Sequence, residues 1–460
     1  MGPELATTPA VTTPYAQSVL SLRRTSTSSL QSFEDDVSLG TSPVYSASSI
    51  SIPFEDGDVD VVRVEGLHHA NQRLEARRYK SASFAQQLLD ILHALRTPSW
   101  IHPAIIPENI QIQKVSGSLT NAVFFISCPS VPGTRVLLLR IYGPSSGSLI
   151  SRPRELHTLH ALSSQYHIGP RVYGTFENGR VEEYFESTTL TASDMRDPKI
   201  SSWIGARMAE LHGVDIASVE PTLADESEGD GWELAAKRNV KSWLGLARDV
   251  LALPFAPEDV RRHLNLDAFE WEWEQYLRWL AEEEKRIGAS PRVFGHNDAQ
   301  YGNLLRLKTL RPGTLAHRQV IVVDFEYASP NAAAYDIANH FHEWTANYHT
   351  EMPHILHPER YPTPDQRRNL YRAYISHFIP PNDIKRPSVL SDEQIEADLD
   401  TLDRQVRAWS PASHAVWAIW GVVQARETVE GKDGEPEFDY LGYAQCRMDG
   451  FRREIRALQL

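Results

Sequence analysis

Apolar residues are spaced in two different ways in the first part of the folded chain. After Ser83 they recur every three or four positions, which predicts an amphipathic helix. Short apolar runs bounded by proline or glycine follow at residues 123–127 and 136–142, and such runs are typical of strands. The pair Asn178-Gly179 between two further runs predicts a hairpin. These residues therefore predict a small lobe built on an antiparallel sheet.

The spacing of apolar residues becomes helical again after Ile200. Residues 266–284 and 412–426 each carry an apolar stripe that predicts a long helix. We expect an α+β, bilobal architecture in which a small antiparallel-sheet N-terminal lobe, residues 83–186, precedes a larger helical C-terminal lobe, residues 187–460. A cleft between two such lobes is the expected place for a small ligand.

The segment before the first predicted helix has a different composition. Serine, threonine and proline dominate residues 7–51, and aliphatic residues are few. Such a segment cannot bury enough apolar surface to offset its loss of conformational entropy. We therefore predict that residues 1–82 form a disordered extension, in which valines between residues 59 and 64 indicate one short strand.

Charge and composition narrow the classes of protein to which the chain can belong. The 460 residues carry a formal net charge of −14, which disfavours nucleic acid or an anionic membrane as the main partner. Two cysteines, Cys128 and Cys446, make neither a disulfide framework nor a zinc set, so a reducing, cytoplasmic location is expected. We expect no transmembrane segment, since no apolar run is long enough, and no secretory signal.

The most informative polar residues lie in the middle of the predicted C-terminal lobe. Asp298 and Asn303 are five positions apart, and Asp324 closes the apolar run at 320–323. This set recurs in phosphoryl transfer, where one carboxylate orients and deprotonates a hydroxyl while the amide and the second carboxylate hold Mg²⁺ on nucleotide phosphates. The alternative is an ordinary loop with an N-capping aspartate before a buried strand, and the position of Asp324 disfavours it.

A loop rich in small residues precedes the first strand of the predicted N-terminal lobe. Small side chains let backbone N–H groups approach phosphate oxygens closely. We therefore predict nucleotide phosphate contacts at Ser116, Gly117, Ser118, Thr120 and Asn121. A turn with no ligand is the alternative, and the order of loop, strand and cation-bearing strand favours the phosphate loop.

The cation in this order is Arg140, at the position where protein kinases place a phosphate-binding lysine. Arginine can contact phosphate in a bidentate manner, and a surface arginine on an edge strand is the alternative. By analogy with kinases, Glu155 on the next helix would pair with Arg140. The backbone from Glu182 to Phe185 would then contact the adenine.

Four segments closely resemble the choline/ethanolamine kinase family, namely residues 138–143, 298–303, 323–328 and 336–344. The resemblance covers nearly the whole predicted globular part, and the serine-rich extension outside it is similar to that of fungal members. It implies a fold like that of protein kinases, with ATP and Mg²⁺ as cofactors. A homodimer is a further expectation that the family resemblance carries.

The resemblance also implies roles for individual residues. Asp298 becomes the catalytic base, and Asn303 and Asp324 become the metal ligands, so these three are the predicted catalytic residues. Protein kinases carry Asp-Phe-Gly where this chain has Asp324-Phe325-Glu326, and this difference argues against a protein substrate.

Aromatic residues downstream of the catalytic motif predict the acceptor pocket. Trp417 and Trp420 share a helix face, and from spacing alone they are better explained as helix core. A cluster of aromatic rings with a carboxylate is, however, a way to hold a quaternary ammonium group. The resemblance implies that the choline pocket comprises Asp298, Gln300, Glu343, Tyr348, Trp417, Trp420, Phe438 and Tyr443.

Three functions follow as hypotheses. The first is ATP-dependent phosphorylation of choline, with ethanolamine as a second substrate, which would be the first step of the route through CDP-choline to phosphatidylcholine. The second is a small-molecule kinase of the aminoglycoside phosphotransferase type, which needs the catalytic residues but not the aromatic cluster. The third is a nucleotide-binding pseudokinase scaffold, which would not need a catalytic base.

Overall fold

The structure of the chain is a computed structural model. It describes residues 61, 63–117, 121–143, 151–220, 233–379, 391–431 and 438–460, and it leaves out the side chains of residues 116, 117 and 121.

The N-terminal lobe is built on a six-stranded sheet. Its strands are β1 (His69–Ala70), β2 (Gln111–Gly117), β3 (Asn121–Ser127), β4 (Leu137–Tyr142), β5 (Val172–Phe176) and β6 (Gly179–Glu183), in the order β1-β5-β6-β4-β3-β2. Neighbouring strands are antiparallel except for β1, which runs parallel to β5 with His69 opposite Thr175. The small sheet-based lobe is confirmed, and its sheet is mixed at one edge rather than purely antiparallel.

Apolar side chains between the sheet and helix α1 (Ala82–Ala94) form the core of this lobe. Ser81 caps α1 by accepting a hydrogen bond from the Phe84 backbone N–H at 3.2 Å. Leu88 and Leu92 on the inner face of α1 are fully buried in the same cluster as Leu139 of β4. The helical spacing seen in the sequence therefore identifies the face that packs on the sheet.

The last part of the predicted extension packs against the sheet instead of standing apart from it. Asn178 in the β5–β6 turn accepts a hydrogen bond from the Leu74 N–H at 3.0 Å and donates one to the Leu74 carbonyl at 2.9 Å. Ala70, Leu74 and Ala76 are buried in the core of the lobe. The predicted disorder up to residue 82 is therefore wrong for these residues. A few apolar side chains are enough to order the segment, because the edge of the sheet supplies hydrogen-bond partners for its backbone.

The strand indicated by valines 59–64 falls mostly outside the described residues. Residues 61, 63 and 64 are described and lie in no strand, and Val61 is half exposed.

The chain crosses between the two lobes at residues 184–186. Beyond this hinge β7 (Ser187–Thr189) pairs with β9 (Leu304–Leu307), which in turn pairs with β10 (Val320–Val322). A second small sheet pairs β8 (Arg292–Gly295) with β11 (Ser329–Ala332). Both sheets lie in the C-terminal lobe, and the loops that leave β8 and β10 carry the catalytic candidates.

Helices make up most of the C-terminal lobe and of its core. In chain order after α2 (Arg152–Gln165) they are α3 (Pro198–His212), α4 (Ile216–Val219), α5 (Ala235–Ala252), α6 (Glu258–Leu264), α7 (Leu266–Ile287), α8 (Ala333–Glu343), α9 (Pro364–His377), α10 (Asp392–Gln424), α11 (Arg426–Val429) and α12 (Tyr440–Ala457). The long helix α10 packs against α8 and α12. Among the described residues, no helix combines the length and apolar character needed to cross a membrane.

Two truncations test the revised boundary of the folded body. Removing residues 1–60 should leave the melting temperature nearly unchanged, because residues 1–60 contribute little apolar sequence. Removing residues 1–80 should lower it by roughly 5 °C or more, because the buried Leu74 and its two backbone hydrogen bonds are lost. Equal melting curves for the two truncations, measured by circular dichroism, would contradict this boundary.

Candidate active site

The loop that leaves β8 is held by a buried carboxylate on α8. Asp336 accepts hydrogen bonds from the backbone N–H groups of His296 and Asn297, each at 2.8 Å. Asn297 has a positive φ of 62°, a backbone conformation that needs support in a non-glycine residue. The bidentate contact from Asp336 supplies that support and fixes the direction in which the chain enters Asp298.

A second shared hydrogen bond ties Asp336 to the rest of the lobe. His212, at the end of α3, places Nε2 at 2.9 Å from Asp336 Oδ2 and Nδ1 at 2.9 Å from the Tyr374 hydroxyl. Burial alone would raise the pKa of Asp336, but the hydrogen bonds from His212 and His296 hold it below its usual range. Asp336 is therefore a charged anchor at neutral pH.

Asp298 and Asn303 face each other across one turn of the loop. The Asn303 side-chain amide donates to the Asp298 carbonyl at 2.9 Å and to Asp298 Oδ2 at 3.0 Å. Asp298 is buried, with 5% of its surface exposed. These contacts fix the carboxylate orientation in the way a general base requires.

Asp324 is brought beside Asn303 by the β9–β10 hairpin. The Val323 N–H donates to the Asn303 carbonyl at 3.0 Å. Asp324 then adopts a left-handed backbone with φ of 67°, which turns the chain sharply at the strand end. The three predicted catalytic residues therefore lie on two adjacent turns.

The side chains around this turn fit a hard divalent cation. Within the part of the chain that the structure describes, the buried Asn303 Oδ1 accepts no hydrogen bond, so it is available as a ligand oxygen. Asp324 lines the cleft and follows Val323, whose backbone N–H bonds the Asn303 carbonyl. An amide oxygen and a carboxylate are ligands that Mg²⁺ prefers.

The cleft between the lobes encloses about 800 Å³, including its open mouth. Val123 and Leu138 line it from the N-terminal sheet, and Leu305 and Val323 line it from the C-terminal side. Glu183 at the end of β6 and the hinge residues Tyr184 and Phe185 line it as well. An apolar slot closed by hinge backbone suits a flat heteroaromatic ring such as adenine.

Two arginines and two glutamates form a buried charge cluster at one end of this cleft. Arg180 donates from Nη2 to Glu155 Oε1 at 2.8 Å, and its Nε contacts Glu182. Arg140 Nε lies 3.9 Å from Glu182 Oε1. The expected pairing of Arg140 with Glu155 is therefore wrong, because Arg180 on the neighbouring strand β6 occupies that position.

The cluster keeps its members charged. Burial alone would raise the pKa of Glu155, but the guanidinium groups of Arg180 and Arg140 hold it below its usual range. Burial alone would lower the pKa of Arg180, and Glu155 and Glu182 reverse that effect. Arg180 makes the short contacts to both carboxylates, whereas Arg140 is only 3.9 Å from Glu182 and lines the cleft wall, where a guanidinium suits contact with phosphate.

The phosphate-loop predictions fall outside what the structure describes. Ser118 and Thr120 lie outside the described residues, and for Ser116, Gly117 and Asn121 only the backbone is described, at the ends of β2 and β3. The two strands pair with each other, with Gly117 opposite Ala122.

Five of the predicted substrate residues form one continuous series of rings, which we call the aromatic cage: Tyr348, Trp417, Trp420, Phe438 and Tyr443. The ring centroids of Trp417 and Trp420 are 5.1 Å apart at an interplanar angle of 76°. Tyr443 lies 6.1 Å from Trp420 and 5.5 Å from Phe438, and Phe438 lies 6.4 Å from Tyr348. Helices α10 and α12 and the segment after α8 therefore converge through these side chains.

The cage has a deep end and an accessible end. Trp417, Trp420 and Tyr443 are buried, whereas Tyr348 and Phe438 are only partly buried and lie at the mouth. The rings of Trp417 and Tyr443 each meet the Trp420 ring edge to face, at interplanar angles of 76° and 81°. The acidic segment that precedes Phe438 lies outside the described residues from 432 to 437.

Glu343 lies at the base of the cage and carries a partner that the sequence did not indicate. Its Oε1 accepts from Arg447 Nη2 at 2.8 Å and its Oε2 accepts from the Tyr348 hydroxyl at 2.6 Å. Glu343 and Arg447 are both fully buried. Glu343 therefore forms part of a neutral buried pair rather than an isolated counter-charge.

Asn339 connects the cage to the catalytic loop. Its Nδ2 donates to the Asn297 carbonyl at 3.1 Å, and its Oδ1 accepts from Trp417 Nε1 at 2.6 Å. Gln300, the remaining predicted substrate residue, is buried within the same loop and donates its backbone N–H to the Asp298 carbonyl at 2.8 Å. The predicted substrate residues and the candidate base therefore lie on adjoining segments.

Sequence reasoning missed the residues that hold this arrangement from a distance in sequence. They are Arg180, His212, Asp336, Asn339 and Arg447, together with Tyr327 and Tyr440. Tyr327 accepts a hydrogen bond from Trp420 Nε1 at 2.9 Å, and Tyr440 packs on Trp420 with 5.8 Å between ring centroids. Asp336 and Asn339 lie within a motif that the sequence singled out, and their roles required the fold.

Fold and site together define a bilobal phosphotransferase with a protein-kinase-like architecture. The family model for choline/ethanolamine kinase matches residues 112–452. The chain is 34% identical to the choline kinase of Schizosaccharomyces pombe, over 82% of this chain and 90% of that protein. It is 31% identical to probable choline kinase 2 of Arabidopsis thaliana, over 83% of this chain and 94% of that protein.

The solved structures agree on the fold. A crystal structure of choline kinase from Cryptosporidium parvum superposes with a TM-score of 0.62 at 22% identity, over 81% of this chain and 96% of that one. The chain belongs to the choline/ethanolamine kinase family.

Replacing Arg180 tests the buried charge cluster. Arg180→Met should lower the free energy of unfolding by about 3 to 5 kcal/mol, because two buried carboxylates lose their main partner. Arg286→Met is the matched control, since Arg286 pairs with Glu283 at the surface, where solvent screens the interaction and its loss should hardly change stability. Thermal denaturation of both variants is the measurement, and similar small shifts would show that the cluster is not what stabilises this end of the cleft.

Proposed function

We propose that the chain is an enzyme that transfers the γ-phosphoryl group of ATP to choline, giving phosphocholine and ADP. The observation that carries the proposal is the aromatic cage joined to the catalytic loop through Asn339. Membership of the choline/ethanolamine kinase family supports the same reaction.

Asp298 acts as the base in this proposal. The choline oxygen attacks the γ-phosphorus, its proton passes to the Asp298 carboxylate, and the bond from the γ-phosphorus to the bridging oxygen of ADP breaks. The hydrogen bond from Asn303 to Asp298 Oδ2 orients the carboxylate for this transfer. The hydrogen bonds that Asp336 accepts from the loop backbone hold Asp298 in this orientation.

Asn303 and Asp324 would hold Mg²⁺, and Arg140 would contact phosphate oxygens. Bound Mg²⁺ supplies charge neutralisation at the β- and γ-phosphates. The apolar slot between Leu138 and Val323 would take the adenine. The backbone from Glu182 to Phe185, at the end of β6 and the start of the hinge, would lie beside it. Contacts from Ser116, Gly117, Ser118, Thr120 and Asn121 to the phosphates complete the proposed nucleotide site.

The cage favours a quaternary ammonium for a physical reason. Choline is a large, weakly hydrated cation, and each aromatic face attracts it by about 0.5 to 2 kcal/mol once water is excluded. It has no N–H group, so nothing is left without an acceptor when the rings enclose it. Gln300 lies at the loop side of the same pocket in this proposal.

Ethanolamine is the second candidate substrate. Its ammonium group would need acceptors, and the two carboxylate oxygens of Glu343 already accept from Arg447 and Tyr348. We therefore propose that ethanolamine is used less efficiently than choline. An aminoglycoside would meet apolar rings where it needs polar partners, and a scaffold would not need the ordered base, so both alternatives are disfavoured.

The cellular setting follows from the reaction. Phosphocholine would enter the route through CDP-choline to phosphatidylcholine. We propose a cytoplasmic enzyme, consistent with its two free cysteines, and a homodimer.

Replacing the base separates chemistry from binding. Asp298→Asn should leave the KM for ATP within about threefold and lower kcat by roughly a hundredfold or more, because the hydroxyl loses its proton acceptor. Asp259→Asn, an exposed aspartate on α6, is the control and should leave both constants unchanged. Steady-state ADP release is the measurement, and a kcat near that of the wild type would remove Asp298 from its role.

Two tryptophans on α10 test the cage. Trp420→Ala should raise the KM for choline by roughly tenfold or more with little change in the KM for ATP. Trp409→Ala is the matched control, since Trp409 is equally buried on the same helix and bonds Glu284 outside the cage. Both variants should lose thermal stability, so only a choline-specific effect identifies the cage. If the two variants change the KM for choline equally, the rings are ordinary core.

A further inference from the structure

Two histidines and a glutamate, none of them a cage residue, come together from three helices of the C-terminal lobe. His342 is the next-to-last residue of α8, His414 lies in α10 and Glu454 lies in α12. Glu454 Oε1 is 3.8 Å from His342 Nε2 and 3.7 Å from His414 Nε2. The two imidazole ring centroids are 4.0 Å apart. We call these three residues the His-His-Glu cluster.

The separations of Glu454 from the two histidines are too long for hydrogen bonds and close to the separation of two ligand atoms on one metal ion. A donor and acceptor 3.7 Å apart do not form a hydrogen bond. Two ligands of a tetrahedral zinc ion, each about 2.1 Å from the metal, lie about 3.4 Å apart. The two separations from Glu454 exceed this value by a few tenths of an ångström, and the candidate ligand atoms of all three side chains lie within 4.8 Å of one another.

Hydrogen bonding in the cluster is incomplete. Among the described residues neither ring nitrogen of His414 has a hydrogen-bond partner, although only 3% of this residue is exposed. Glu454 Oε2 also lacks a partner there. His342 Nε2 shares one hydrogen bond with the Ser410 hydroxyl at 2.8 Å, which a metal bond could replace. A buried imidazole whose two ring nitrogens both lack a hydrogen-bond partner is unusual, and a bound ion would explain it.

The packing of α12 makes room for the His414 ring. A Cβ atom at Gly450, one turn before Glu454, would lie 2.5 Å from the His414 ring. Glu454 is partly exposed, so an ion can reach the cluster from solvent. Burial and nearby arginines lower the pKa values of His342 and His414 well below the usual value, which keeps both imidazoles neutral as metal ligands must be.

We propose that His342, His414 and Glu454 bind a divalent transition-metal ion of the zinc type, which cross-links helices α8, α10 and α12 beneath the cage. Two imidazoles and a carboxylate are a zinc ligand set, whereas Mg²⁺ prefers oxygen ligands only. The site is separate from Asn303 and Asp324 and has a structural role. By joining the helices that carry Glu343, Trp420 and Tyr443, the ion would fix the cage geometry.

Zinc binding by the untagged full-length protein tests the proposal. The protein is stripped with a chelator, supplied with excess Mg²⁺ to saturate hard-oxygen sites, and titrated with Zn²⁺ against a chromophoric chelator. The wild type should take up one equivalent of Zn²⁺ and show a raised melting temperature. Co²⁺ in its place should give the strong visible absorption of a tetrahedral ion.

Glu454→Gln and His414→Gln should each lower zinc affinity by at least tenfold and abolish the rise in melting temperature. Glu454→Gln guards against a folding defect, because Glu454 is only partly buried. His263→Gln is the matched control: His263 pairs with Asp449 at 2.8 Å on the surface, and its loss should leave zinc uptake unchanged. No zinc uptake by the wild type, or full uptake by both cluster variants, would overturn the proposal.

Discussion

The structure depends on one buried carboxylate, Asp336, and on the helix α8 that carries it. Asp336 accepts from two consecutive backbone N–H groups in the loop that enters Asp298, and from His212 on another helix. The two hydrogen bonds from the loop fix its orientation, and the third, from His212, holds the carboxylate in place. The position of the candidate base is therefore set by a buried carboxylate on a separate helix.

The same helix also positions the acceptor site. One turn beyond Asp336, Asn339 bonds both the loop backbone and the Trp417 indole, and at the helix end Glu343 bonds Arg447 and Tyr348. Side chains at i, i+3 and i+7 lie on one helix face, so a single face of α8 organises both halves of the site. Base and cage are thus fixed relative to each other by one rigid element, which is what proximity in phosphoryl transfer requires.

Features that are local in sequence could be predicted, and features that join distant segments could not. Helical spacing identified the inner face of the first helix, and the spacing of Asp298 and Asn303 singled out two side chains that the structure joins by a hydrogen bond. The pairs Arg180–Glu155 and Arg447–Glu343 gave no signal, because their members lie 25 and 104 positions apart and only the fold brings them near. The edge strand at residues 69–70 was missed for the same reason, since its partner is β5.

The central claim is that the cage selects a quaternary ammonium alcohol for phosphorylation by ATP. The most direct test measures ADP release by the wild-type protein with saturating ATP and Mg²⁺, offering choline, ethanolamine and an aminoglycoside in turn, with the phosphorylated product identified by mass spectrometry. The account predicts a higher kcat/KM for choline than for ethanolamine and no turnover of the aminoglycoside. Failure to phosphorylate choline, or preferred use of the aminoglycoside, would contradict it.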